Sequence, residues 1–185
     1  MANKKKILIV TDDAGESFEI LYAQHRFAEA GWSPVIGASK KKALHGVIHD
    51  FEPGWTTYVE KPGYRIEADI ALSQAKPKDY EAVMLIGGRA PEHLRHHVKL
   101  IKFVQEFHKS GKWIFSVCHG IQILAAADLL EGRKVTCYKN VRLEVTQVGG
   151  KWINKQSVVD RNLVTAQTWE SHADFYRDIF RCLDN

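Results

Sequence analysis

The sequence predicts an α/β protein: a three-layer α/β/α sandwich around a mainly parallel sheet. Short apolar runs, "KILIV", "PVIGA", "AVMLIGG" and "KWIFSV", recur along the chain. The first, third and fourth run straight into stretches of helical periodicity. Strands that alternate with helices make a parallel sheet, because the crossover helices must cover its faces. No internal repeat or low-complexity tract breaks the alternation.

Taken in order, "KILIVTDD" (Lys6 to Asp13) reads as a buried strand opening into a loop. "ESFEILYAQHRFAEAG" is a helix with Phe18, Leu21, Tyr22, His25 and Phe27–Ala28 roughly on one face and Gly31 just past its end. "SPVIGAS" completes a β-α-β unit. From Lys40 to Pro77 aromatics, Gly and Pro accumulate. Short strands or a hairpin fit this segment, then a short helix near Ala68 to Gln74. The expectation is an aromatic-rich flap at about 45–66, inserted in a single domain over 1–185. "YEAVMLIGG" returns to a buried strand, and "APEHLRHHVKLIKFVQEFHKSG" reads as one helical stretch ending at Gly111. "KWIFSV" and "GRKVTCY" are strands, with the helix "HGIQILAAADLL" between them. "NVRLEVTQVGG" is a helix or extended turn, "SVVDRNLVTAQ" two short strands around a turn at Asp160 to Asn162, and "SHADFYRDIFRCL" a closing amphipathic helix.

Composition narrows the function. The 185 residues are 45% hydrophobic and 26% charged, ordinary values for a globular domain with a sizeable core. The net charge of +4 is dispersed. Its only runs, Lys4–Lys6 and Lys40–Lys42, lack interleaved aromatics, which argues against a nucleic-acid partner. No segment is apolar for long enough to cross a membrane, and Ile7 to Val10 is too short for a signal peptide, so a cytoplasmic protein is expected. The three cysteines, Cys118, Cys137 and Cys182, show no metal-ligand spacing and no disulfide framework. His93, His96 and His97 lie close together but lack a supporting ligand pattern, and there is no GxGxxG or P-loop, so neither a metal nor another cofactor is expected.

The chemistry concentrates at "WIFSVCHGIQILAAADLL". A buried strand ends at Cys118 and turns at once into a helix, the setting of a nucleophile elbow. Ser116 and Gly120, two positions to either side, are small enough for the turn. A helix N-terminus favours a thiolate and lowers a thiol's pKa. The N–H of His119 is placed to stabilise an oxyanion, and Gly87-Gly88 at the end of another strand supplies further N–H groups. Cys137 and Cys182 lack this setting and read as packing residues.

"GESFE", "LIGGRAPEHLR", "SVCHGIQILAAADLLEGRKVTCY" and "VVDRNLVTAQTWESHADF" follow in this order and cover nearly the whole chain. In these motifs the chain resembles the ThiJ/PfpI superfamily. The resemblance implies a flavodoxin-like, class I glutamine amidotransferase-like fold. The "HDFEPGWTTYVEKPGY" segment is most similar to plant two-domain members described as glutathione-independent glyoxalases. By resemblance Cys118 is the nucleophile and His119 its adjacent histidine. Glu19 is the buried, usually protonated carboxyl on the cysteine sulfur. Glu92 is the acid that reaches the histidine of a neighbouring subunit in PfpI-like hexamers. Glu16 reads as a surface or helix-start carboxylate. His172, with Trp169 and Glu170, is a candidate for lining the pocket and binding substrate. Two departures stand out: Ile121 where the family commonly has proline after Cys-His-Gly, and Trp169 where many relatives have proline.

The expected activity is cysteine-dependent chemistry on small reactive carbonyls: conversion of methylglyoxal to lactate without glutathione, or a related deglycase reaction. An alternative is a PfpI-type cysteine peptidase or amidase. A second alternative is a redox-sensing stress protein or chaperone that uses Cys118. The partners expected are a small aldehyde and further copies of the chain, as a homodimer or a PfpI-like trimer or hexamer. The aromatics Phe51, Trp55, Tyr58 and Tyr64 would narrow the pocket toward small substrates.

Overall fold

A computed structural model describes residues 4–184. Residues 1–3 and 185 of the expected domain lie outside the described residues. The elements are β1 (Lys6–Val10), α1 (Ser17–Glu29), β2 (Ser33–Ala38), β3 (Ala43–Asp50), β4 (Val59–Glu67), β5 (Ile70–Ala71), β6 (Ala82–Leu85), α2 (Ala90–Leu94) and α3 (Val98–Lys109). They continue with β7 (Trp113–Val117), α4 (Ile121–Ala126), β8 (Lys134–Val135), α5 (Arg142–Gln147), β9 (Lys151–Trp152), β10 (Ser157–Asp160), β11 (Leu163–Ala166) and α6 (His172–Leu183).

Seven strands form the central sheet in the order β10-β11-β7-β6-β1-β2-β5. All neighbouring pairs are parallel except β10 with β11. This is the mainly parallel, flavodoxin-like sheet that the sequence predicts. Ile7 to Val10 and Ala82 to Leu85 are fully buried, as expected of strands covered on both faces. On one face Phe27 of α1 packs on Phe115 of β7 and on Tyr176 and Phe180 of α6. On the other, α3 buries Leu100, Phe103, Val104 and Phe107 and is tied to the end of α4 by Gln105 donating to the Ala127 carbonyl. The chain runs outward from β1 to β2 and β5, then returns to β6 on the other side of β1. The β1/β6 pair is therefore the topological switch point, where ligands of open α/β sheets bind beyond the strands' carboxyl ends.

The flap is an antiparallel hairpin of β3 and β4 that pairs with itself rather than with the central sheet, and its register slips between His45 and Val47. Several elements depart from expectation. The buried face of α1 is Ile20, Ala23 and Phe27 with Ser17 and Glu19; Phe18 is 48% exposed and His25 faces solvent. The single stretch expected from Ala90 to Gly111 is two helices, α2 and α3, divided where His97 caps α3 by accepting from Leu100 N–H. The helix near Ala68 to Gln74 is instead the two-residue β5 and a 3₁₀ turn at Leu72–Gln74. "GRKVTCY" contributes only β8, which pairs with β9 outside the main sheet.

Candidate active site

The carboxyl ends of three adjacent strands, β1, β6 and β7, converge at the switch point. Each ends in a turn that places one part of the site.

After β7 the chain makes a 3₁₀ turn, Cys118–Gly120, before α4. Cys118 takes φ 57°, a left-handed conformation that costs a non-glycine residue about 1–2 kcal/mol. Strain of this kind persists only where the surroundings enforce it. Gly120 does so from one side: a Cβ there would lie 2.3 Å from the Leu85 carbonyl oxygen, so only glycine permits the turn. Ile121, in place of the expected proline, enters α4 with ordinary helical geometry.

After β6, Gly87 and Gly88 let backbone approach the thiol. A Cβ on Gly87 would sit 2.5 Å from Cys118 Cβ and 3.1 Å from its Sγ. Gly88 has φ 72°, and a Cβ there would collide with the Ala14 carbonyl at 2.4 Å. The backbone N–H groups of Gly88 and His119 both favour charge on the sulfur.

After β1, the first turn of α1 brings in Glu19. Its Oε2 accepts from Gly87 N–H at 2.7 Å. Its Oε1 is buried with no nitrogen or oxygen partner, and the Cys118 thiol is its neighbour. Burial, reinforced by Glu16, pushes the Glu19 carboxyl well above its ordinary value and so favours its protonated form. The N-cap of α1 is Glu16, which accepts from Glu19 N–H at 2.7 Å. The helix-start reading of Glu16 holds and the surface reading does not: Glu16 is buried because β3 lies across it, through a bridge between Glu16 and Val47.

Burial, with the charge of Glu19 when ionised, pushes the Cys118 thiol well up, while the N–H groups of His119 and Gly88 pull it down. The lowering expected from a helix N-terminus is therefore outweighed by desolvation. A protonated Glu19 removes the repulsion and offers its O–H to the sulfur. His119 Nδ1 lies 3.2 Å from Sγ. Burial holds the His119 imidazole down at about 4, so the ring is neutral and able to accept the thiol proton.

The flap roofs this arrangement. His49 and Tyr58 stack at 3.9 Å, and both meet the His119 ring edge-on, with Tyr138 beside it. His49 Nε2 is 2.9 Å from Glu60 Oε2, and Arg89 grips both Glu60 oxygens at 2.6 and 2.8 Å. Cys118 is only 6% exposed beneath them. Beside the flap tip a cavity of about 520 Å³ is lined by Phe51, Trp55, Tyr138, Gln156, Gln167 and other residues, but not by Cys118.

Cys118, His119, Glu19, Gly87 and Gly88 are thus brought together. Glu92 is exposed in the first turn of α2, and the hydrogen bonds and ion pairs among the described residues do not join it to His119. His172 is buried in an aromatic nest, stacked on Tyr22 at 4.6 Å and edge-on to Phe18 and Tyr176. Trp169 fastens the flap by donating from Nε1 to the His49 carbonyl. The three adjacent histidines disperse: His93 faces Asp12, His97 caps α3 and His96 is exposed. Among the described residues no group of three or more His, Cys, Asp or Glu side chains is placed to hold a metal ion. Cys137 is buried, its thiol pushed up to about 12 by desolvation, and Cys182 is half-buried on α6; no disulfide joins the three. Sequence reasoning missed His49, Glu60, Arg89 and Tyr138. The aromatic-rich insertion pointed to the segment, but only the bulged hairpin register shows which side chains face inward.

A mainly parallel sheet with a left-handed cysteine turn at its switch point and a buried glutamate beside it defines an α/β protein of the flavodoxin-like class. Residues 5–181 match the DJ-1/PfpI family, and the chain belongs to it. It is 36% identical over 186 residues to Protein DJ-1 homolog D of Arabidopsis thaliana, covering 97% of this chain and 48% of that protein. It is 32% identical over 162 residues to Deglycase PfpI of Pyrococcus furiosus, covering 88% and 89%. The chain therefore spans about half the length of the plant relative and most of the archaeal one. Among solved structures, a two-domain protein with DJ-1/ThiJ/PfpI-like and ferritin-like domains from Anabaena variabilis aligns with TM-score 0.86 and 28% identity, over 98% of this chain and 48% of that one. Schizosaccharomyces pombe DJ-1 aligns with TM-score 0.78 over 95% and 90%, and at 18% identity it bears on the fold alone. No helix among the described residues is long and apolar enough to cross a membrane.

Proposed function

We propose that the protein is a cysteine-dependent enzyme acting on small reactive carbonyls, as a glutathione-independent glyoxalase or a deglycase. The observation that carries this reading is the convergence of donors and an acceptor on one sulfur: Nδ1 of a neutral His119 at 3.2 Å, the N–H groups of His119 and Gly88, and the protonated carboxyl of Glu19. Relatives named as deglycases point the same way.

In the glyoxalase reaction the Cys118 S–H adds across the aldehyde of methylglyoxal. Sulfur bonds to C1, the proton passes through His119, and the C1 oxygen is held by the Gly88 and His119 N–H groups until it is protonated. A base then moves the C1 hydrogen to C2 through an enediol. C1 is oxidised as C2 is reduced, leaving a lactoyl thioester that water hydrolyses to lactate and the free thiol. Glu19 holds its own proton and serves as a donor, which leaves His119 as the base. A deglycase would use the same sulfur on the aminocarbinol formed between a carbonyl and an amine. The protein supplies the thiol, so neither glutathione nor a metal is required.

A peptidase reading is less well supported by this geometry. The flap leaves 6% of Cys118 exposed, and the acid of the expected triad, Glu92, would have to come from a second copy of the chain. The test is methylglyoxal consumption without glutathione by wild type and Cys118→Ser, with lactate quantified. Many turnovers of lactate from wild type and none from the variant are expected. A well-folded wild type that turns nothing over would overturn the proposal.

A further inference from the structure

We infer that the flap supplies the site with a histidine–carboxylate pair, Glu60–His49, which stores the proton that His119 takes from Cys118. His49 acts through His119, so it is a positioning residue. The inference rests on Cys118 being the reactive thiol, and not on which carbonyl it attacks.

His119 alone is a poor store for a proton. Its ring is buried, and no carboxylate among the described residues hydrogen-bonds it. His49 is the histidine of this cluster that has such a partner. Glu60, held down at about 2 chiefly by its Arg89 pair, stays ionised and can only accept from Nε2. That fixes the tautomer: Nε2 carries the hydrogen and Nδ1 presents a lone pair. Nδ1 is buried without any partner, an uncommon state for a polar atom on a ring only 2% exposed. The His49 and His119 rings meet edge to face with centroids 6.4 Å apart. That gap is too wide for a direct N–H···N bond however the rings turn, and one water admitted beneath the flap would bridge it.

The chain Cys118–His119–His49–Glu60 therefore has the order of a relay. The thiol proton passes to His119 Nδ1, the His119 Nε2 proton passes to His49 Nδ1, and the His49 imidazolium sits on the Glu60 carboxylate. His119 ends neutral and the sulfur ends as thiolate. The proton returns along the same path to the carbonyl oxygen once the S–C bond has formed, so the addition balances. The groups facing His49 set its affinity. Burial lowers it, Glu60 on β4 and Glu92 on α2 raise it, and Arg89 beside Gly88 lowers it. Tyr58 stacks on the ring, and the Glu16 carboxylate faces the His49 backbone N–H rather than the ring.

The test is the pH dependence of Cys118 alkylation by iodoacetamide, read by intact mass and peptide mapping, in wild type, His49→Gln, Glu60→Gln and Arg89→Gln. The plateau rate reports how open the flap is, and the midpoint reports how readily the thiol gives up its proton. Both His49→Gln and Glu60→Gln are expected to move the midpoint up by about one pH unit, about a tenfold slower alkylation at pH 7. Arg89→Gln frees the same flap contact but keeps the pair, so it raises the plateau and leaves the midpoint no higher than wild type. Midpoints unchanged in both pair variants would overturn the relay, as would an equal upward shift in Arg89→Gln, which assigns the effect to the flap. Glu60→Gln keeps a hydrogen-bonding side chain and serves as the test if His49→Gln fails to fold. The readout needs no carbonyl turnover, so its failure is distinct from failure of the proposed activity.

Discussion

Glu19→Gln separates the electrostatic cost of the site from its fold. The amide matches the carboxyl in shape, can still accept from Gly87 N–H, and turns an N–H toward the sulfur as the protonated acid does. In the native protein Glu19 is pushed well above its ordinary 4.5 by burial and by Glu16. The unfolded chain has no such environment and ionises near the ordinary value. The native state therefore binds the extra proton. The stability this gives is complete below pH 4.5 and is lost as pH rises toward the native value. The slope is about 1.4 kcal/mol for each pH unit in that window. His119 and His172, each held at about 4 by burial, work in the opposite sense, gaining stability as pH rises from about 4 to 6.5. Wild type alone would show a partly cancelled profile. The difference between wild type and Glu19→Gln cancels the histidines and isolates Glu19. Urea denaturation at half-unit steps from pH 5 to 8 should show the variant gaining on wild type by about 1.4 kcal/mol per unit until the native carboxyl ionises. A stability difference that stays flat across this range would refute a protonated Glu19, and with it the donor role given to its O–H.

Further outcomes follow from single contacts. Cys118→Gly relieves φ 57° at the elbow and should leave thermal stability within about 1 kcal/mol of wild type, whereas Cys137→Gly, fully buried and without a left-handed backbone, should lose about 2 kcal/mol or more. Gly87→Ala drives a methyl to 2.5 Å from Cys118 Cβ and should cost about 1–3 kcal/mol by calorimetry while lowering thiol reactivity. His172→Phe replaces a buried ring whose two nitrogens lack partners; it should stabilise the protein at pH 5, where the native histidine is held neutral against its tendency to protonate, and leave carbonyl turnover intact. Loss of turnover in that variant would restore His172 to the site.

The parts of the site that lie close to a strand end were legible in the sequence. Cys118, Gly87-Gly88 and Glu19 each follow a short apolar run, and the chemistry of a strand-to-helix turn is local. What escaped was set by contacts distant in sequence. The helix α1 carries two overlapping apolar stripes, and periodicity alone does not say which one meets the sheet. Phe18 and Tyr22 read as core because they are aromatic, yet they pack on Trp169 and His172 at the far end of the chain. Glu16 is buried only because β3 crosses it. The His49–Glu60–Arg89 cluster joins residues 11 and 29 positions apart in a register that a bulge displaces, so simple alternation along β3 misplaces its inward side chains.

The self-paired hairpin of the flap has a consequence for how this molecule can change. The floor of the site is made by turns embedded in the central sheet, where almost any alteration strains the core. The roof is one continuous segment whose two strands pair with each other, which is anchored to the Asp13–Ser17 turn after β1 and clasped by Arg89, Tyr138 and Trp169. Admission and part of the proton handling are therefore housed together in one stretch of chain, apart from the elbow that carries the thiol. A hairpin transplanted from a relative would bring its own gatekeeping and its own proton store to an unaltered elbow. The protein is in this sense a fixed reactor whose door carries one of its working parts.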